Sequence, residues 1–314
     1  MEADNWQVDL SVADRNSLMQ AARQNLDRDP IAITAADFPL GPAEDMVRAL
    51  GRDVVEGRGF VMLRTGLSDL DEAMAARLVW GLGQHLGIPQ VQDGAGTLLH
   101  DIRDIGADLE KQSDVRIYQT NRAQAFHNDG GDMFALFCRR QGTSGGRSLI
   151  ASAHRLWNEI LDRAPDLARV LTEPFYFDAR GQALPGRPWV QKLAIFHFHQ
   201  GRCFIIHKRP YIDLAQRNPD VPRLSDAQVA ALDLLDALCD DPAFHLAFDM
   251  QPGDLVVANN FTTLHARTAF DDGGSGSKRH MLRLWLGVDG GVALPQDFAD
   301  TREFGPLFTT THRN

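Results

Sequence analysis

The chain has 314 residues, 44% hydrophobic and 24% charged, an ordinary balance for a globular protein able to bury a sizeable core. Its formal net charge of −10 excludes a general nucleic-acid binder or a protein bound to an anionic membrane, since both need a basic face. No run approaches the roughly 18 apolar residues of a membrane helix, and the acidic start MEADNWQVDLSVADRNSL has no basic leader, so a soluble cytoplasmic protein is expected.

In chain order, LSVADRNSLMQAARQNL reads as an amphipathic helix with Ser11 as its cap. GPAEDMVRALGRDVVEG is a second helix with Pro42 in its first turn. GFVMLRTGL, short, apolar and bounded by glycine, reads as a strand. LDEAMAARLVWGLGQHLG returns to a helical period and ends at Gly87. DVRIYQTN alternates like a strand running into a loop, and DMFALFCRR is a continuous apolar run suited to a buried strand. GGRSLIAS is a turn and short strand. SAHRLWNEILDRAPDLARVL is helical, with Ser152 as candidate cap and Pro165 as a break. LAIFHFHQGRCFIIH gives two strands around a QG turn, and LSDAQVAALDLLDALC is a helix capped by Ser225. FHLAFDMQPGDLVVANN reads as strand, turn, strand, and RHMLRLWLGV as the last strand.

Strands do not alternate regularly with helices, which disfavours a doubly wound sheet. A mostly β protein with flanking helices, a β-sandwich or jelly roll, fits better. No linker, repeat or low-complexity stretch divides the chain, so one domain over 1–314 is expected. A helical region of about 1–90 would pack on the core, with helical insertions at about 152–172 and 224–240. Cys138, Cys203 and Cys239 are too scattered for a zinc or disulfide framework and read as buried free thiols.

The chemistry concentrates in FHNDGGD. Among the 11 histidines only His127 has a carboxylate two places on, at Asp129. Chance gives roughly one or two such spacings, so the pair needs a third ligand. Two residues apart on a strand end point to the same side and can reach one ion. NNFTTLHARTAF supplies His265 from another strand. Two imidazoles and a carboxylate on one face make the open-sided arrangement of non-heme Fe(II) oxygenases, which take a chelating co-substrate and O2. A 2-oxoglutarate co-substrate also needs a cation for its distal carboxylate. Arg279 and Arg283, four apart on the last strand with Met281 between, face one side and would be costly buried without an anion. His197 and His199 form a rival HxH pair, but no carboxylate follows in QGRCF, and strand histidines are the simpler reading. Tyr118, Gln119 and Asn121 precede the metal loop and either line a pocket or serve packing and turns.

On FHNDGGD, GGRSLIAS, QPGDLVVANNFTTLHARTAF and KRHMLRLWL, in that order, the chain resembles the taurine dioxygenase and dichlorophenoxyacetate dioxygenase (TauD/TfdA) family of Fe(II)/2-oxoglutarate enzymes, with clavaminate-synthase-like relatives. The resemblance implies a double-stranded β-helix, a jelly-roll core. It implies His127, Asp129 and His265 as iron ligands, and Arg279, fourteen residues after His265, as the partner of the 2-oxoglutarate C5 carboxylate. Ser148 stands where the family usually has threonine. Arg283 matches a position that faces either the co-substrate or an anionic group of the substrate. Asp129 separates the chain from related halogenases, which carry a small residue there. Hydroxylation of an unactivated C–H bond of a small molecule, an anionic one among the candidates, with release of succinate and CO2, is the implied outcome. Desaturation or cyclisation would use the same iron ligands. A non-oxidative metal enzyme, or a ligand-binding jelly roll without catalysis, are the readings from other classes.

Overall fold

A computed structural model of the chain describes residues 6–93, 95–106, 117–178, 189–274, 278–288 and 293–295. The strands in chain order are β1 (Gln7–Asp9), β2 (Phe60–Arg64), β3 (Ile88–Gln90), β4 (Leu99–Ile102), β5 (Gln124–His127), β6 (Met133–Arg140), β7 (Ser144–Gly145), β8 (Ser148–Ser152), β9 (Phe175–Asp178), β10 (Val190–Leu193), β11 (Phe196–His199), β12 (Arg202–Ile205), β13 (His245–Phe248), β14 (Asp254–Asn259), β15 (Thr263–Arg267), β16 (Phe270–Asp271) and β17 (His280–Gly287). The α-helices are α1 (Val12–Gln24), α2 (Glu44–Glu56), α3 (Glu72–Leu86), α4 (Ala153–Arg163), α5 (Pro165–Leu171), α6 (Arg209–Ala215) and α7 (Asp226–Asp240).

Two sheets face each other. The larger has seven strands in the order β1-β2-β14-β6-β17-β3, with β4 also paired to β17; the smaller has four in the order β13-β8-β15-β5. Within these sheets only β1 and β2 run parallel. The architecture is a mostly β jelly roll with flanking helices, as the strand pattern predicts.

Strand alternation sorts the core into three layers. Met62, Phe134, Cys138, Val256, Met281 and Trp285 of the larger sheet meet Ile150 and Phe248 of the smaller in the space between them. On the outer face of the larger sheet, Phe137, Leu255, Leu282 and Leu284 pack against α1, α2 and α3. On the outer face of the smaller, Ala151, Leu264 and Ala266 pack against α4, α5 and α7. Every residue of β17 is buried, which explains its near-continuous apolar run. Gly81 and Gly83 let α3 lie this close. A Cβ on Gly81 would stand 2.3 Å from the Phe38 ring, and one on Gly83 2.4 Å from Leu284 Cδ1.

Local signals were mostly well placed. Ser11 and Ser225 both close capping boxes, and Pro165 opens α5 after α4 has ended. Pro42 sits in a 3-10 turn, Gly41–Ala43, just ahead of α2 rather than inside it. Ser152 occupies the cap position of α4, but its side chain makes no capping hydrogen bond. The strand expected at DVRIYQTN is a correction. Residues 114–116 lie outside the described ones, Ile117–Gln119 is a 3-10 turn, and the strand begins at Gln124 and includes His127 itself. The two strands around PGD go to different sheets, β13 to the smaller and β14 to the larger.

Candidate active site

The FHNDGGD stretch crosses from the end of β5 into a loop held by two buried asparagines. Asn128 Nδ2 donates to the carbonyls of Asn260, Ile205 and Thr263, and its Oδ1 accepts the His207 N–H at 2.7 Å. Asn260 donates to the carbonyls of Gly130 at 2.6 Å and Gly131 at 3.2 Å, while its Oδ1 accepts the Asp129 N–H at 3.2 Å. The two glycines have separate causes. A Cβ on Gly130 would stand 2.4 Å from the Trp285 ring, and Gly131 has φ +76.

Across the small sheet His127 pairs in register with His265, and His265 with Ile150. His127 Nε2 lies 3.8 Å from Asp129 Oδ1, and His265 Nε2 lies 3.6 Å from Asp129 Oδ2. The three side chains offer ligand atoms all within 4.8 Å of one another. His127 Nδ1 donates to the Ala125 carbonyl at 2.8 Å, which makes Nε2 the acceptor nitrogen; it accepts from Gln124 Nε2 here, and a metal would take that lone pair in its place. Burial, then the neighbouring His265, pushes the His127 pKa down to about 3, so its imidazole is neutral at pH 7. Burial alone would raise the Asp129 pKa, but the Arg283 guanidinium above all outweighs it and holds the carboxylate ionised. A neutral His127 and an ionised Asp129 are the states a divalent metal requires, and two imidazoles with one carboxylate fit Fe(II).

The rest of the pocket is lined by Ile102, Tyr118, Gln124, Phe134, Leu136, Ser148, Phe248, Val256, Arg267, Arg279 and Arg283, among others. Arg279 is 1% exposed, and its Nε and Nη1 have no hydrogen-bond partner. Its guanidinium carbon stands 5.2 Å from the centroid of the Phe270 ring. Burial lowers its pKa to about 10, which leaves it charged at neutral pH. Gly146, at φ +73, gives it room; a Cβ there would lie 3.0 Å from Arg279 Nε. Arg283 differs. Its Nη1 donates to Asp129 Oδ2 at 2.8 Å and its Nε to Gln92 Oε1 at 2.8 Å. Its guanidinium lies over the Tyr118 and Trp285 rings at 5.1 and 5.0 Å. Ser148 opens β8 beside Arg267 of β15. Tyr118 lines the pocket, its hydroxyl 3.0 Å from His100 Nε2. Gln119 and Asn121 instead accept, through their carbonyls, the N–H groups of Ile105 and Phe270.

Two pocket residues escaped the sequence reading. Gln124 Nε2 reaches His127 Nε2 at 2.8 Å, because a bulge sets Gln124 opposite Arg267 and His127 opposite His265. Arg267, 7% exposed, follows His265 by two and so shares its face; strand period was the available signal. His197 and His199 do not form a metal site: His197 Nε2 bonds the Ala194 carbonyl at 3.0 Å, and the described residues offer no carboxylate to complete such a set.

The sequence model described as "Taurine catabolism dioxygenase TauD, TfdA family" matches residues 26–285. The chain is 30% identical to the FR-33289 synthase of Streptomyces rubellomurinus over 317 residues, 96% of this chain and 91% of that protein. Among solved structures it resembles asparagine oxygenase in complex with Fe(II), 3-hydroxyasparagine and succinate, with a TM-score of 0.70 at 18% identity over 93% of this chain and 98% of that one. It also resembles the non-heme iron oxygenase OrfP in complex with Fe and alpha-ketoglutaric acid, with a TM-score of 0.66 at 16% identity over 89% and 93% of the two chains.

Proposed function

The chain belongs to the TauD, TfdA family of dioxygenases, and from that premise we propose that His127, Asp129 and His265 hold Fe(II) and that Arg279 holds the C5 carboxylate of 2-oxoglutarate. The enzyme is an Fe(II)- and 2-oxoglutarate-dependent oxygenase. With iron bound, the site supplies O2 activation coupled to decarboxylation of 2-oxoglutarate, so that R–H, 2-oxoglutarate and O2 become R–OH, succinate and CO2.

The observation that carries the site assignment is Arg279. A guanidinium almost wholly buried, with two N–H positions unpartnered, is expensive unless an anion completes it. It opens into the same pocket as the three ligand side chains. A non-oxidative metal enzyme would need no arginine for a 2-oxo acid. Ser148 contributes its hydroxyl to the same carboxylate, at the start of β8.

The substrate is a small molecule, and we propose that it carries an anionic group. Arg267, Arg279 and Arg283 face a pocket whose lining contains one carboxylate, Asp129. The co-substrate's distal carboxylate answers part of this excess, and an anionic substrate answers more. Arg283 has two donor positions committed to Asp129 and Gln92, so it would meet that group with Nη2. The remaining walls, Ile102, Phe134, Leu136, Phe248 and Val256, keep the reacting end dry. Among the described residues no helix is long and apolar enough to cross a membrane. The three cysteines are free and buried, which supports a reducing, cytoplasmic setting.

The test is succinate formation from 2-oxoglutarate under air by protein reconstituted with Fe(II) or with Zn(II). Succinate with Fe(II) alone supports the reading; no succinate under any substrate screen, with iron stably bound, rejects it.

A further inference from the structure

Arg279 is not the lone unanswered cation at its end of the pocket. Arg267 lies on β15 two residues beyond His265, on the same inward face, about 7 Å further along the strand. It is 7% exposed. Its Nη2 donates to the carbonyls of Thr120 and Arg122, which fixes the plane of the guanidinium. Its Nε is buried and has no partner. No described carboxylate forms an ion pair with it.

The surroundings of Arg267 are those of the distal carboxylate. Its direct neighbour across the sheet is Ser148. Its guanidinium carbon stands 4.7 Å from the centroid of the Phe270 ring, and that of Arg279 stands 5.2 Å from the same centroid. Burial, and then the nearby Arg279, pushes its pKa down to about 10. Two like charges share one aromatic ring and one apolar enclosure, an arrangement that is costly in isolation. A single anion between them would relieve both. The spacing also suits a five-carbon diacid. Four C–C bonds of about 1.5 Å separate its end carbons by roughly 5 Å, which leaves roughly 2 Å of the about 7 Å step between the His265 and Arg267 rows, within the length of a hydrogen bond.

We infer that Arg267 is a second cation for the distal carboxylate of the 2-oxo diacid, beside Ser148 and across Phe270 from Arg279, and that it sets the preference for 2-oxo diacids over 2-oxo monoacids. The inference rests on the proposed role of Arg279. Arg267 adds charge and one N–H to the carboxylate, while its bonds to Thr120 and Arg122 keep it from following the ligand. It is a specificity residue, remote from the bond that breaks.

The experiment is isothermal titration of anaerobic, Mn(II)-loaded protein with 2-oxoglutarate and, separately, with 2-oxobutyrate, which has the same chelating end but no distal carboxylate. Arg267→Gln should weaken 2-oxoglutarate roughly ten- to a hundred-fold and leave 2-oxobutyrate within about two-fold, so the preference falls by the same factor. Arg267→Lys keeps the charge and should recover most of that loss; it also serves where the glutamine variant fails to fold. If Arg267 only pins the Thr120–Arg122 turn, both acids weaken together, in the glutamine variant or, where that variant unfolds, in the lysine variant. Either result overturns the inference. The result that strikes the proposed function instead is distinct: wild-type protein that binds the two acids equally.

Discussion

The two ends of the pocket are built on opposite plans. At the metal end the loop is finished by its own chain: Asn128 and Asn260 between them hold five carbonyls and two N–H groups, and His127 Nδ1 has its carbonyl. At the guanidinium end, Arg279 Nε, Arg279 Nη1 and Arg267 Nε are buried and unanswered. The difference follows from what each end must do. A metal needs ligands already aimed, so the loop behind them is locked in advance. A diacid brings its own acceptors, and donors already satisfied by protein would have nothing to offer it.

The largest effect should come from breaking the metal end at its proposed ligands. His127→Ala or His265→Ala removes one of three protein donors. Turnover should vanish, and metal affinity should fall by more than roughly a hundred-fold, beyond the usual cost of losing a supporting residue. Anaerobic Fe(II) titration measures this, and near-wild-type affinity in both variants would overturn the ligand set.

A second break leaves the ligands intact and attacks the lock. Asn260→Ala strands the Gly130 and Gly131 carbonyls and the Asp129 N–H in a buried loop. At roughly 1–3 kcal/mol for an unsatisfied buried group, partly relaxed, we expect about 2–4 kcal/mol lost from the metal-free protein. Urea denaturation reads this directly. Unchanged stability would mean that the metal end is no more prearranged than the other.

Much of this contrast was legible in the sequence, and the illegible part has definite causes. HxD and the later His were visible because a three-ligand site needs few residue types at fixed spacing. The two arginines on β17 were visible because they interrupt an apolar strand. Gln124 was not, since it reaches His127 only through a bulge that no local pattern announces. The sheet partners of β13 and β14 were hidden as well. A strand-PGD-strand segment reads alike whether it stays in one sheet or crosses to the other, and only the tertiary packing of Phe248 against Trp6 and of Val257 against the helices decides it. Ser152 sat at the right place for a cap without making the bond, because position and hydrogen bond are separate facts.

The guanidinium end should respond in binding rather than in folding. Arg279→Gln keeps some hydrogen-bonding capacity but removes the charge and the paired fork. The KM for 2-oxoglutarate should rise roughly ten- to a hundred-fold. Stability of the ligand-free protein should hold or improve, because a buried uncompensated charge has gone. Steady-state kinetics together with a thermal melt test both halves. A flat KM for 2-oxoglutarate with a rising substrate KM would exchange the roles of Arg279 and Arg283.

Arg283 sits between the two plans and should give the smallest effect. It is tied to Asp129 and Gln92, as the metal end would have it, yet Nη2 makes no hydrogen bond among the described residues, as at the other end. If that donor meets an anionic group of the substrate, its loss should show in how well co-substrate consumption is coupled to product. We expect Arg283→Ala to lower product formed per succinate released several-fold, while succinate release without substrate changes little. The Kd for 2-oxoglutarate should stay close to wild type, because Arg279 remains. Loss of both activities in equal measure would instead assign Arg283 to holding Asp129 at the metal, the task its 2.8 Å bond already performs. The two outcomes are separated by one ratio, product to succinate, measured in the same reaction.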